Sequence, residues 1–187
     1  MDKSKIYITL IILLIIVIGI LGFFFYLKLQ YIQKATLTPA PTTSEIGKEK
    51  KIEKEVVLYF ATSDGEHLGK EVRLIKTSLG DLPKRIFREL KIGPKEKGLY
   101  RILEDNVKLR DIYISGGVGF VDLDGSILDR GMGTTEELLV IYSIVDSLCF
   151  SLGLSKIKFL VDGKEIDTFG HIDISNPLYP NYDIIAK

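Results

Sequence analysis

Few side chains in this sequence are of the kind that make or break covalent bonds. There are two histidines, His67 and His171, far apart in the chain, and one cysteine, Cys149. A cysteine–histidine pair would supply a thiolate nucleophile and its base. Cys149, however, falls in an apolar helical stripe, where a free cysteine packs as a small hydrophobe. No G-x-S-x-G elbow, H-E-x-x-H zinc helix or Walker loop occurs. Asp122-Leu123-Asp124-Gly125 begins like a calcium loop but lacks a third ligand before the glycine, and Gly133 stands where the closing glutamate belongs. Asp122 and Asp124 would share one face of a strand, as paired acid–base work requires, yet no partner group accompanies them. Strand-end carboxylates on a hairpin are the plainer interpretation. Gly131-Met132-Gly133 precedes a helix N-terminus, where free N–H groups attract anions, but short glycine connectors are common as simple joints. The sequence therefore assigns no catalytic, cofactor-binding or metal-ligating residue and identifies no small-molecule ligand. That result favours a binding or assembly module.

The elements that would position these residues are legible from periodicity. Val56–Phe60 is a β-branched and aromatic run, Ser63-Asp64-Gly65-Glu66 a hairpin turn, and Leu68–Ile75 a second strand. Asp81 can cap a helix with Pro83 in its first turn, and Leu82, Ile86, Phe87 and Leu90 recur at helical spacing before Gly93-Pro94 stops it. Residues 95–106 look irregular. Val107–Ser115 and Val118–Leu123 form a second hairpin around Gly116-Gly117. Thr134-Thr135-Glu136-Glu137 matches a capping box, with Thr134 as cap and Glu137 reaching back. The helix it opens runs to about Leu152, with Leu138, Ile141, Tyr142, Val145, Leu148, Cys149 and Leu152 on one face. Val140 and Ile144 give it a second apolar strip, and Ser143, Asp146 and Ser147 a narrow polar side, which places it at the centre of the core, with partial cover by a partner as the alternative. Gly153 closes it, Ile157–Val161 is a last strand, and an irregular tail follows. The expected fold is α+β, one mixed or antiparallel sheet with two helices in ββαββαβ order, preceded by one transmembrane helix.

That membrane helix is Ile6–Leu27, 22 positions without a charge, bordered by Tyr7 and Tyr26. At about 1.5 Å per residue it reaches about 33 Å, enough for the hydrocarbon core. It is longer than the apolar core of a cleaved signal and lacks a small-residue cleavage site, which favours an uncleaved signal anchor. Lys3 and Lys5 with the amino terminus slightly outweigh Lys28 and Lys34, placing residues 1–5 in the cytoplasm and the rest outside. Residues 28–54, with Pro39, Pro41 and a Lys/Glu run, read as a flexible spacer. Residues 55–187 form the domain, with 17 basic against 21 acidic residues. The whole chain balances 25 basic and 25 acidic residues, which argues against a nucleic-acid partner. One cysteine excludes an intrachain disulfide framework.

Several short motifs occur in a recognisable order: Val56–Phe60, Glu71-Val72-Arg73, Gly93-Pro94, Asp122-Leu123, Thr135-Glu136-Glu137 and Ile157–Gly163. Gly170-His171-Ile172-Asp173 and Pro177-Leu178 close the series. Together, over about residues 55–180, they resemble the GerMN domain family of sporulation and spore germination. The resemblance implies an extracytoplasmic module with no established enzymatic role. The family's namesake is a lipoprotein with two such domains; this chain has one copy and an apolar helix in place of the lipid. The expected function is protein–protein assembly at the bacterial cell envelope, with envelope proteins or a second copy as partners. The expected surface is the outer strip of the second helix and an exposed sheet edge. The alternative is a wall-binding or hydrolytic envelope domain, for which Asp122, Asp124 and His171 are the first residues to test.

Overall fold

The computed structural model describes residues 22–23, 50–128 and 131–186. The chain divides into two compact units, Met1–Lys48 and Glu49–Lys187. Of the first unit only Gly22 and Phe23 are described, both helical. The expected anchor over residues 6–27 otherwise lies outside the described residues, as does the spacer up to residue 49. Among the described residues no helix is long and apolar enough to cross a membrane.

The second unit opens with β1 (Lys51–Thr62), which pairs antiparallel with β2 (Leu68–Ser78). The strand begins at Lys51, so Lys51–Lys54 of the expected spacer are part of the sheet. A Lys/Glu run is solvated as readily on an exposed strand as in a coil, and here Lys76 reaches Glu53 at 3.5 Å across the pair. The turn is built by Asp64, whose Oδ1 accepts the Thr62 hydroxyl at 2.6 Å and the Glu66 amide at 2.9 Å. Those bonds, the Thr62 hydroxyl first, hold its carboxyl far below the usual range.

Helix α1 (Leu82–Ile92) carries Pro83 in its first turn and buries Leu82, Ile86, Phe87 and Leu90, as its periodicity predicts. Asp81 sits at the cap position without a capping bond, and its carboxylate instead receives Arg88 at 2.8 and 2.9 Å. The connection expected to be irregular contains β3 (Leu99–Tyr100), which pairs with Ala61 and Thr62 of β1. β4 (Leu109–Ser115) and β5 (Val118–Leu123) form the second hairpin. After α2 (Thr134–Leu152), β6 (Lys156–Val161) returns parallel to β5.

The architecture is α+β with two helices, as expected, but the strands do not make one sheet. They form two three-stranded sheets, β2-β1-β3 and the mixed β4-β5-β6, plus a small hairpin of β7 (Thr168–Phe169) and β8 (Ile172–Asp173) in the supposedly irregular tail. The physical reason is on β1. The edge facing away from β2 is closed by serines of α2. Tyr59 donates its N–H to Ser147 Oγ at 2.9 Å and accepts from Ser143 Oγ at 2.7 Å. Val57 exchanges both of its backbone bonds with Ser151 Oγ at 2.9 Å. With those groups used, no further strand can join β1 there.

The same contacts place α2 at the centre of the core, as expected. Its polar side is not solvated: Ser143, Asp146 and Ser147 are fully buried, and the helix is covered nearly all round. No continuous outer apolar strip is left on it as a docking face; Phe150 alone among its large apolar side chains is exposed, and it packs on Tyr59 and Tyr182. Its cap also differs from expectation. Gly133, in extended conformation, precedes the first turn with no side-chain capping bond, and Thr134 is already helical. Glu137 turns away from the cap to bind the loop after β7. Gly153 ends the helix in left-handed conformation, as expected.

Candidate functional site

The pattern along β2 is inverted relative to an ordinary half-buried strand. Glu71 and Arg73 are buried at 2% and 5% exposure, while Val72 and Leu74 between and beyond them are open at 48% and 69%. The buried charges are paired. Arg73 Nε lies 2.5 Å from Glu71 Oε1, Nη1 lies 2.8 Å from Glu89 Oε2 on α1, and Nη2 reaches the Gly93 carbonyl at 2.6 Å. The guanidinium also stands 5.4 Å from the centre of the Phe60 ring. Glu71 Oε2 accepts the Lys95 and Glu96 amides at 2.7 and 2.9 Å, and Arg85 closes on Glu89 Oε1. Burial works against ionisation of both carboxyls, but Arg73 and the other donors outweigh it and hold both below the usual range. This clasp ties β2, α1 and the Gly93-Pro94 stop together. A buried pair of this kind is costly to break, because the remaining charge is left unpaired.

The exposed row lies over that clasp. In an antiparallel pair, the N–H and C=O of one residue face either the neighbouring strand or away from it. Val57 and Tyr59 direct theirs away from β2, to the α2 serines, so their partners Val72 and Lys70 direct theirs away from β1. The same parity holds for Leu74 and Lys76. Lys70, Val72, Leu74 and Lys76 thus combine exposed side chains with outward-facing backbone groups. No strand among the described residues covers this row. Leu68, the buried residue just before this row, already takes a neighbour: its carbonyl accepts the Ala186 amide at 2.9 Å, and Ile185 bridges to it in parallel. The other hairpin edge is blunted. β4 carries an irregularity between Leu109 and Asp111, and Lys84 of α1 reaches across to Asp111 at 2.8 Å.

The residues singled out from sequence take structural positions. Asp122 accepts the Gly163 amide at 2.9 Å and pairs with Arg110 at 3.2 Å, and Arg110 also meets Asp162 at 3.3 Å. Asp124 caps a short 3-10 turn through Ser126, whose hydroxyl and amide lower its carboxyl. Glu137 binds His171 twice, from the backbone N–H at 2.8 Å and from Nδ1 at 3.1 Å, and a Cβ at Gly170 would strike that carboxylate. His67 pairs with Asp64 in the first turn at 2.8 Å. Among the described residues no hydrogen bond or ion pair joins His171 to Asp122 or Asp124, so the three are not assembled into one site. Cys149 is buried, and burial followed by the nearby Asp146 pushes its thiol up to about 12, away from thiolate chemistry. Gly131-Met132-Gly133 leads into α2, with the Glu137 amide bonded to the Gly133 carbonyl at 3.0 Å. No group of three metal-ligating side chains occurs among the described residues.

Sequence reasoning missed the β2 row because Glu71 and Arg73 look like the solvent side of the strand. The available signal was the central pair of apolar residues in phase with Lys70 and Lys76, opposite to the charges. It also missed Asp146, which is fully buried beneath the tail. Its Oδ1 accepts the Asn181 amide at 3.1 Å and its Oδ2 has no partner among the described residues. Burial pushes this carboxyl up to about 7 and, with the charge of Asp146 added, the Tyr59 phenol to about 12.

A small α+β module whose buried polar groups fix strands and helices in place is thus the class of protein defined here. The chain belongs to the Germane family, described as sporulation and spore germination, whose model matches residues 57–167. The tandem GerMN domains of the sporulation protein GerM from Bacillus subtilis share the fold, at 17% identity and a TM-score of 0.56, over 70% of this chain and 46% of that one. The chain therefore spans less than half the length of the tandem. The first GerMN domain of the same protein aligns at 16% identity and a TM-score of 0.47, over 73% of this chain and 98% of that one. A candidate lipoprotein from Clostridium perfringens aligns at 28% identity and a TM-score of 0.47, over 68% and 87% of the two chains. Comparison with curated proteins gives no match.

Proposed function

We propose that this protein is a membrane-anchored module of its family that holds other proteins in an assembly on the outer side of the cell membrane, in sporulation or germination. The observation that carries this reading is the outward row of β2, with apolar side chains and backbone groups both open over a rigid base. The charge-free run over residues 6–27 and the lysines before it support the anchor and its orientation. The family description supports the process.

Two measurements test it. In-cell crosslinking of the full chain recovers a small, reproducible set of envelope proteins; recovery of none removes the assembly role. Ser63→Cys places a thiol in the exposed β1–β2 turn, while Cys149 is buried. A membrane-impermeant maleimide then labels the variant in intact cells, and labelling only after lysis overturns the orientation.

A further inference from the structure

We propose that the outer edge of β2 binds an extended segment of a partner protein by strand addition, and that this segment carries acidic residues on either side of two apolar ones. The inference rests on the assembly reading above and names the chemistry of its partner. The edge has four outward positions, and they read Lys70, Val72, Leu74, Lys76. An added strand takes its main-chain bonds from this row, and its side chains meet the four in turn.

An edge protected only against aggregation carries charge along its length. This one places its two lysines at the ends and leaves Val72 and Leu74 open between them. The apolar pair calls for apolar partners, and Lys70 and Lys76 call for acids at the flanks. β1 already supplies Glu53 beside Lys76 on the same face, at 3.5 Å. Strand addition at this edge has begun within the chain itself, where Ile185 and Ala186 dock at Leu68. That contact fixes where a guest strand must start, since the row is free only from Lys70 onward.

The charges also argue against a second copy as the guest. Two β2 strands paired antiparallel to cover the whole row are centred on Arg73. Lys70 of each copy then lies opposite Lys76 of the other, and like charges directly opposed are destabilising. The buried side of the strand reinforces the selection: Arg73, Glu71 and Glu89 are tied into the clasp, so β2 cannot roll over to offer a different face.

The test uses the full chain in detergent micelles and two synthetic peptides, Thr-Glu-Thr-Val-Thr-Val-Thr-Glu-Thr and the same peptide with lysine at both glutamate positions. Binding is followed by fluorescence anisotropy, and amide hydrogen exchange locates it. The glutamate peptide is expected to bind about fivefold or more tightly than the lysine peptide. It should slow exchange at Val72 and Leu74, whose amides point outward. The double variant Lys70→Glu, Lys76→Glu should reverse the preference. Val72→Pro should abolish binding by removing an outward donor that β1 does not use, a change tolerated at an edge. Equal binding of the two peptides, protection elsewhere than β2, or no binding at millimolar peptide overturns the inference. So does concentration-dependent dimerisation of the wild type that Val72→Pro abolishes. If in-cell crosslinking still recovers envelope neighbours when the peptides fail, the assembly reading stands and only this edge is wrong.

Discussion

Among the described residues, Asp146 is the one buried side chain with an oxygen left without a hydrogen-bond partner. A carboxylate removed from water needs full hydrogen bonding, and here the Asn181 amide serves one oxygen while the other has no partner among the described residues. Among the described residues, the titratable side chains that feel its charge are Tyr59 from β1 and Tyr142 and Cys149 from α2; none of these brings positive charge. The folded state therefore keeps the proton up to about pH 7, whereas the unfolded chain releases it near 3.8. Between those values the folded state binds one proton more, so stability falls as pH rises from about 4 to about 7 and is flat above. Asp146→Asn removes that slope while keeping the side chain's shape. We expect the two proteins to be nearly equal in stability near pH 4 and the variant to be more stable at pH 8, by on the order of 4 kcal/mol. Urea melts at a series of pH values measure the difference. A difference that stays constant with pH would show that Asp146 is ionised throughout.

At the scale of the elements, α2 does the work of a missing strand. Ser143, Ser147 and Ser151 recur every four residues, so they lie along one line of the helix and meet successive backbone groups of β1. Ser147→Ala leaves the Tyr59 amide buried without a partner and should cost about 1–3 kcal/mol. Faster amide exchange at Tyr59, with helicity in circular dichroism unchanged, checks that the loss is local to that bond. A helix with no measurable loss would mean that water replaces the serine. This strip also shows how far the sequence could be read. Both helices, both hairpins and the last strand follow from spacing, glycine stops and turn residues, all of which act over a few positions. The serines were visible as a polar stripe, but whether a stripe faces water or another backbone depends on which strand packs there. The capping box failed for the same reason. Thr134 and Glu137 have the right spacing, yet the loop at Gly170 and His171 offers Glu137 two donors that the local cap cannot match. Cys149 was legible as a buried thiol because an apolar helical stripe is itself a local pattern. The inverted β2 row was not, because it depends on a clasp between residues of three separate segments.

For the molecule as a whole, the open question is where the folded unit starts. Composition places the boundary at 55, after the Lys/Glu run, whereas the compact unit begins at Glu49 and its first strand at Lys51. Lys51, Ile52, Glu53 and Lys54 pair with Ser78, Thr77, Lys76 and Ile75. Those four partners lead directly into α1. The Thr77 hydroxyl lies 3.3 Å from the Asp81 carboxylate, and Ser78 Oγ accepts the Asp81 amide at 3.2 Å. The first residues of β1 therefore brace the entry to the helix that carries Glu89, and so the outer end of the Arg73 clasp. A chain of residues 49–187 should fold cooperatively. A chain of residues 55–187 should fold too, since the core residues from Val56 onward are all present. It should be less stable by about 1–4 kcal/mol, the sum of four cross-strand pairs in which the β2 partners Ile75, Thr77 and Ser78 are buried. Amide exchange should quicken at Thr77 and Ser78 first and through α1 next. Denaturant midpoints of the two chains measure the energy. Identical midpoints would return Lys51–Lys54 to the spacer, and exchange that quickened uniformly would show that the clasp, rather than the strand pairing, holds the entry to α1.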